Sequence, residues 1–203
     1  VVPLSTMAMI KHHNRIGGVV AKPVREKARG PELGHQRLDR YTAAYDWAVK
    51  CIDTCHYLEA IAVLDSLLGD RLSSRYTHIL RAESIVPVAV GEVCKRLLNG
   101  DPKLAAPQVE SDPRFRVVID EIWEWARTRN RAMHQAAKIL RNGDPRVAFL
   151  DILEEHRQTA LDGVALLRKF DELDTQIRQE RGKVPGTYPN AFFPENRIRR
   201  SSM

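Results

Sequence analysis

The stretch "VVIDEIWEWARTRNRAMHQAAKIL", residues 117–140, decides the fold. Val118, Ile122, Trp125, position 129, Met133, Ala136 and Leu140 follow one another at steps of 4, 3, 4, 4, 3 and 4. That is the spacing of one face of an α-helix. Every member is apolar except Arg129. Burying an unpaired guanidinium between Trp125 and Met133 is costly, so Arg129 must reach solvent, pair with a carboxylate or face a polar partner. The pattern predicts a helix from about Arg114 to Leu140 with one polar intrusion to explain.

Working outward, Leu38, Tyr41, Tyr45, Ala48, Val49 and Ile52 recur at helical spacing. After a break near His56, so do Tyr57, Ile61, Leu64, Leu68, Leu72, Tyr76 and Ile79. Pro87 is suited to opening a third helix that runs to Leu98, where "NGDP" ends it. Residues 99–113, with three prolines, read as a loop. A second "NGDP" at 142–145 offers Asp144-Pro145 as cap and first turn of a fifth helix. That helix reaches Arg181 through Phe149, Ile152, Leu153, Leu161, Leu166, Leu167 and Phe170, with a bend expected at Gly163. No run alternates with β-branched enrichment, so no strand is expected. The expectation is an all-α bundle of four to five helices over residues 37–181. A flexible basic arm (1–36) and an irregular basic tail (182–203) flank it.

Composition narrows the class. The chain has 203 residues, 43% hydrophobic and 29% charged, as in ordinary globular proteins. No apolar run approaches the roughly 20 residues of a membrane span, and no export segment is read, so a cytoplasmic protein with no membrane partner is expected. Cys51, Cys55 and Cys94 form no CxxC pair and read as small core thiols rather than a metal site. The net charge of +6 is uneven. Residues 1–40 hold eight Lys and Arg against three Asp and Glu, residues 176–203 hold six against two, and residues 41–175 hold eighteen against twenty-one. Basic ends on a near-neutral body point to an anionic partner, nucleic acid foremost.

The intrusion at 129 has company. Asn130 and His134 are spaced i,i+4 and share a face, so the amide is placed to orient the imidazole. Arg127, Arg131, His134 and Lys138 form a cationic row at steps of 4, 3 and 4. Together they read as a phosphate-facing patch holding one titratable group: Arg and Lys grip phosphate oxygens, and His moves protons near neutral pH. Glu124, three residues before Arg127, offers the plainer alternative of a salt-bridged solvated face. Arg71, Arg75, His78 and Arg81 make a similar row, read as a solvated cationic face or as an RNA-tracking extension of the first patch.

Arg129-Asn130-Arg131-Ala132-Met133-His134 resembles the Arg-x(4–6)-His signature of the HEPN superfamily, in its form with Asn after the Arg. The likeness covers residues 38–180 in architecture and six residues as a motif. It implies a helical bundle that dimerises to bring two motifs into one cleft, cleaving RNA without metal or other cofactor. Arg129 and His134 would be catalytic and Asn130 supporting, with Arg127, Arg131, Lys138, Arg71, Arg75 and His78 contacting RNA. Such proteins act in toxin–antitoxin and phage-defence systems, which implies an antitoxin or regulatory partner. Ala136 stands where a subgroup partnered with nucleotidyltransferases has Tyr, so modification there is not expected. The alternative is a non-catalytic helical RNA-binding or interaction module.

Overall fold

The computed structural model describes residues 24–26, 30–105, 107–135 and 148–182. Among the described residues five helices carry the fold: α1 (Gly30–Asp53), α2 (Tyr57–Leu80), α3 (Val90–Asn99), α4 (Pro113–Gln135) and α5 (Phe149–Glu180). The architecture is an all-α bundle. Two two-residue strands, β1 (Arg25–Glu26) and β2 (Ser84–Ile85), pair antiparallel, a small ladder that no sequence pattern announced. Among the described residues no helix is long and apolar enough to cross a membrane.

α2 is the central helix and packs against all four others, while α4 and α5 lie antiparallel, Arg114 meeting Glu180 at one end and Trp125 meeting Thr159 towards the other. The core gathers Tyr41, Tyr45 and Ala48 of α1, Ile61, Leu64, Leu68 and Leu72 of α2, and Phe115, Ile119 and Ile122 of α4. Leu167 and Phe170 of α5 complete it. Each of the Leu, Ile and Phe side chains contributes roughly 1.5–3 kcal/mol by leaving water.

Local chemistry sets the helix ends. Thr54 to His56 separate α1 from α2: Cys55 adopts φ 62°, and His56 N donates to Cys51 O at 2.7 Å. Gly100 ends α3 with φ 86°, and a Cβ there would fall 2.4 Å from Pro107 Cβ, so the first "NGDP" stops the helix as expected. Asp112 caps α4 by accepting from Arg114 N at 2.9 Å, with Pro113 in the first helical position.

Several boundaries differ from the pattern. α1 begins at Gly30, inside the expected arm, because Pro31 suits a first helical turn and Glu32 complements its positive end. α3 begins at Val90, three residues after Pro87. α5 runs unbroken across Gly163. That glycine serves a close approach instead: a Cβ would stand 2.9 Å from Trp125 Cζ2 and 3.2 Å from Leu64 Cδ1. The second "NGDP", Lys138 and the tail from residue 183 lie outside the described residues.

Candidate functional site

α4 places the motif. Its buried face runs through Phe115, Val118, Ile119, Ile122, Trp125, Ala126 and Ala132. At 100° per residue, Arg129 lies about 20° from Val118 and belongs to that face, whereas Met133 has drifted about 60° and is 44% exposed. One turn before Arg129, Trp125 is fixed by its Nε1 donating to Thr159 O of α5 at 2.8 Å. Arg129 therefore emerges at the end of the packed stripe, where α2 meets α4.

Its guanidinium is 16% exposed and paired. Nη2 donates to Asp65 Oδ1 of α2, and Nη1 donates to Asn130 Oδ1. Arg129 Nε is buried with no hydrogen-bond partner among the described residues. Burial raises the Asp65 carboxyl above its ordinary pKa, and the attraction of Arg129 only partly offsets that. The carboxylate option among the three open to Arg129 is thus the one realised, by a residue 64 positions away.

The rest of the motif faces outward. Asn130, Arg131, Met133 and His134 are exposed on the last turns of α4. Asn130 gives its amide oxygen to Arg129, and no hydrogen bond joins it to His134 among the described residues, so the expected orienting role is not realised. Arg127 is exposed, donates to Glu124 Oε1 at 3.0 Å and lies 5.8 Å over the Trp123 ring. The described part of the cationic row, Arg127, Arg131 and His134, is therefore a solvated face with one ion pair.

The second row differs from its expected solvated face. Arg71 and Arg75 are 8% and 7% exposed. Arg71 Nη2 donates to Asp171 Oδ1 at 2.9 Å and to Asp174 Oδ2 at 3.2 Å. Arg75 grips Glu110 through both carboxylate oxygens, at 2.6 and 2.9 Å, and stacks 4.0 Å from the Phe115 ring centroid. The cause is local packing: this face of α2 lies against Phe115 of α4 and Phe170 of α5, so Arg71 and Arg75 need internal carboxylates. His78 and Arg81, further along α2, are exposed.

Two groups escaped the sequence reading. Asp65 bears on Arg129, yet nothing local in sequence announces a partner 64 residues away. His156 of α5 is 2% exposed with Nδ1 unpartnered, and burial lowers its pKa. Among the described residues no group of three or more His, Cys, Asp or Glu is placed to hold a metal. No family model, curated protein or solved structure matches the chain.

Proposed function

We propose that the exposed end of α4 is the site of a metal-independent endoribonuclease. The observation that carries this reading is the division of labour on one helix. Arg129 is held by Asp65 and Asn130 at the packed edge, while His134 stands exposed just beyond it. On one helix Arg129 and His134 lie about 140° apart at 100° per residue, so a fixed guanidinium of one copy and an accessible imidazole of another, meeting at a seam, would suit phosphodiester transfer. The RNA 2′-hydroxyl attacks the adjacent phosphorus as the bond to the 5′-oxygen breaks, leaving a 2′,3′-cyclic phosphate and a 5′-hydroxyl. His134 moves the proton at one of the two oxygens, Arg129 stabilises the phosphorane charge, and Arg127 and Arg131 hold flanking phosphates.

The same reading includes a homodimer whose seam joins two motifs. Supporting it, Met133 beside the motif is 44% exposed, and Phe149 and Leu150 are 59% and 74% exposed. All three lie at the same end of the antiparallel α4–α5 pair, and exposed apolar surface of this kind marks interaction sites. The protein would then be a cytoplasmic effector of the toxin or phage-defence kind, restrained by an antitoxin or regulatory protein.

A second reading, a non-catalytic RNA-binding module, is favoured by one observation: the charge of Arg129 is already compensated by Asp65. Cleavage of an end-labelled RNA in EDTA, wild type against His134→Ala, separates the two. Cyclic phosphate ends from wild type alone support the nuclease. Binding at low salt without cutting by either protein supports the module. Equal cutting by both would remove His134 from the chemistry.

A further inference from the structure

Beside Asp65, where α2 meets the entry to α3, lies a cleft of about 280 Å³. Asp65, Ser66, Gly69, Asp70 and Ser73 form its α2 wall and fall within one arc of about 140° at 100° per residue. Pro87 and Val88 stand on the facing wall. The Asp65 carboxylate also accepts from Arg129 through Oδ1, so the cleft and the α4 site share a residue. A group seated in the cleft would lie one carboxylate's width from the guanidinium that holds phosphate in the proposed reaction.

The charges on its walls are already paired. Arg25 donates to both oxygens of Asp70, at 2.7 and 3.1 Å, and Tyr41 Oη donates to the same carboxylate. Asp65 faces Arg129. Two carboxylates matched by two guanidinium groups leave no net charge to hold a free phosphate or a metal cation. What the cleft offers is hydrogen bonding. Asp65 is 30% exposed, and its Oδ2 bonds to nothing among the described residues. Ser66 is exposed and Ser73 is 2% exposed, and neither hydroxyl makes a hydrogen bond among the described residues. A charged acceptor and two hydroxyls left open on one concave wall suit a ligand with a polar edge.

The remaining surface is apolar. Pro87 and Val88 supply one side, and on the other Gly69, lacking a side chain, lets a flat group approach the α2 backbone. A carboxylate oxygen accepts from an amino group and repels a carbonyl, as when Asp reads the amino group of cytosine. A neutral planar ring with an exocyclic amino group therefore meets every feature: no charge, flat apolar faces and a donor for Oδ2. The volume, just below the range of about 300–1,000 Å³ for whole drug-sized ligands, suits one ring. Unstacked bases of single-stranded RNA are such rings and are read on this edge. Among the four RNA bases uracil alone lacks the amino group.

We infer, on the reading that the α4 face takes RNA, that this cleft seats the base of the nucleotide whose 3′-phosphate lies on Arg129. Asp65 is then the specificity-determining residue and selects an amino-bearing base over uracil. Calorimetric titration of the full chain with the 3′-monophosphates of cytidine, uridine, adenosine and inosine tests it. Each pair differs at one position of the base edge in an amino group against a carbonyl. The cytidine and adenosine nucleotides should bind about tenfold tighter than their carbonyl counterparts, the value of one charge-assisted hydrogen bond. Asp65→Asn should reverse the order, because its Oδ1 keeps Arg129 while its Nδ2 donates to a carbonyl. Ser66→Tyr, at an exposed position, should fill the cleft and abolish the discrimination with an unchanged melting midpoint. Equal affinities within each pair would overturn the inference. So would an Asp65→Asn variant that weakens all four ligands alike, which would leave Asp65 as a support for Arg129 only. His134-dependent cutting of RNA without base discrimination overturns the cleft assignment and spares the nuclease. Discrimination that Asp65→Asn reverses, with no cutting by wild type, supports the cleft and overturns the nuclease.

Discussion

The Asp65–Arg129 pair is the contact on which the α4 site is built, and its energetics follow from its burial. The two side chains are 30% and 16% exposed, between a surface pair worth about 0–1 kcal/mol and a buried pair whose rupture costs about 3–5 kcal/mol. Burial raises the Asp65 pKa more than Arg129 lowers it, so desolvation of the carboxylate outweighs its Coulombic gain. Arg129→Met, which strands the carboxylate, should therefore cost about 1–2 kcal/mol. Asp65→Asn keeps an acceptor for Nη2 and, like protonation of a carboxyl whose pKa is raised, removes a charge that costs more to bury than its pairing returns, so near neutral pH it should change stability by less than about 1 kcal/mol. The double variant strands neither, so it should lose less than the sum, with a coupling of about 1 kcal/mol. Urea unfolding near neutral pH with unchanged m-values reads all three. The pH dependence carries a second sign. A carboxyl whose folded pKa is raised binds its proton in the native state at a pH where the unfolded chain has lost it. Its contribution to stability is therefore present at low pH and lost as pH rises from the ordinary value of 3.8 through the folded pKa. Asp65→Asn should abolish that slope, and Arg129→Met should extend it upward. Additivity within about 0.3 kcal/mol, or no change in slope, would refute this account of the pair.

Gly163→Ala should destabilise by up to about 2 kcal/mol. The clash with an indole pinned by Thr159 O costs about 1–3 kcal/mol and outweighs about 1 kcal/mol of helix propensity, as a melting curve would show. His156 is buried and its pKa is lowered, so the unfolded chain binds the proton first. Stability should fall as pH drops below the ordinary His value of 6.5 towards the folded pKa, and His156→Leu should flatten that slope in pH-dependent unfolding. Of the three cysteines, exposed Cys55 should react with maleimide in the native protein. Buried Cys51 and Cys94, the latter thiol pushed up to about 12, should react only on unfolding, as mass spectrometry would show.

Sequence by itself determined the helices and the anomaly. Apolar residues at steps of three and four are a local property, so α2 and α4 and the end of α3 at Gly100 were legible. So was the misfit of Arg129, since a charge on an apolar stripe violates a rule readable within one helix. The plainer alternative for Arg127, a pair with Glu124, was equally local and is what the structure contains.

Tertiary structure alone decided what the charges do. Asp65 and Arg129 meet because α2 and α4 pack, and Arg75 finds Glu110 because its face of α2 lies against Phe115 of α4. The row Arg71, Arg75, His78 and Arg81 has the same periodicity on a solvated helix as on a central one, so spacing could not separate its buried half from its exposed half. Gly163 reads alike as a bend or a close approach until Trp125 is set against it. The basic excess near both ends was visible as charge, but its convergence was not. Arg25, Arg37, Arg178 and Arg181 border one cleft only because the chain brings β1, α1 and the end of α5 around α2. Periodicity reports which way a side chain faces from its own helix, and only packing between helices fixes what it then meets.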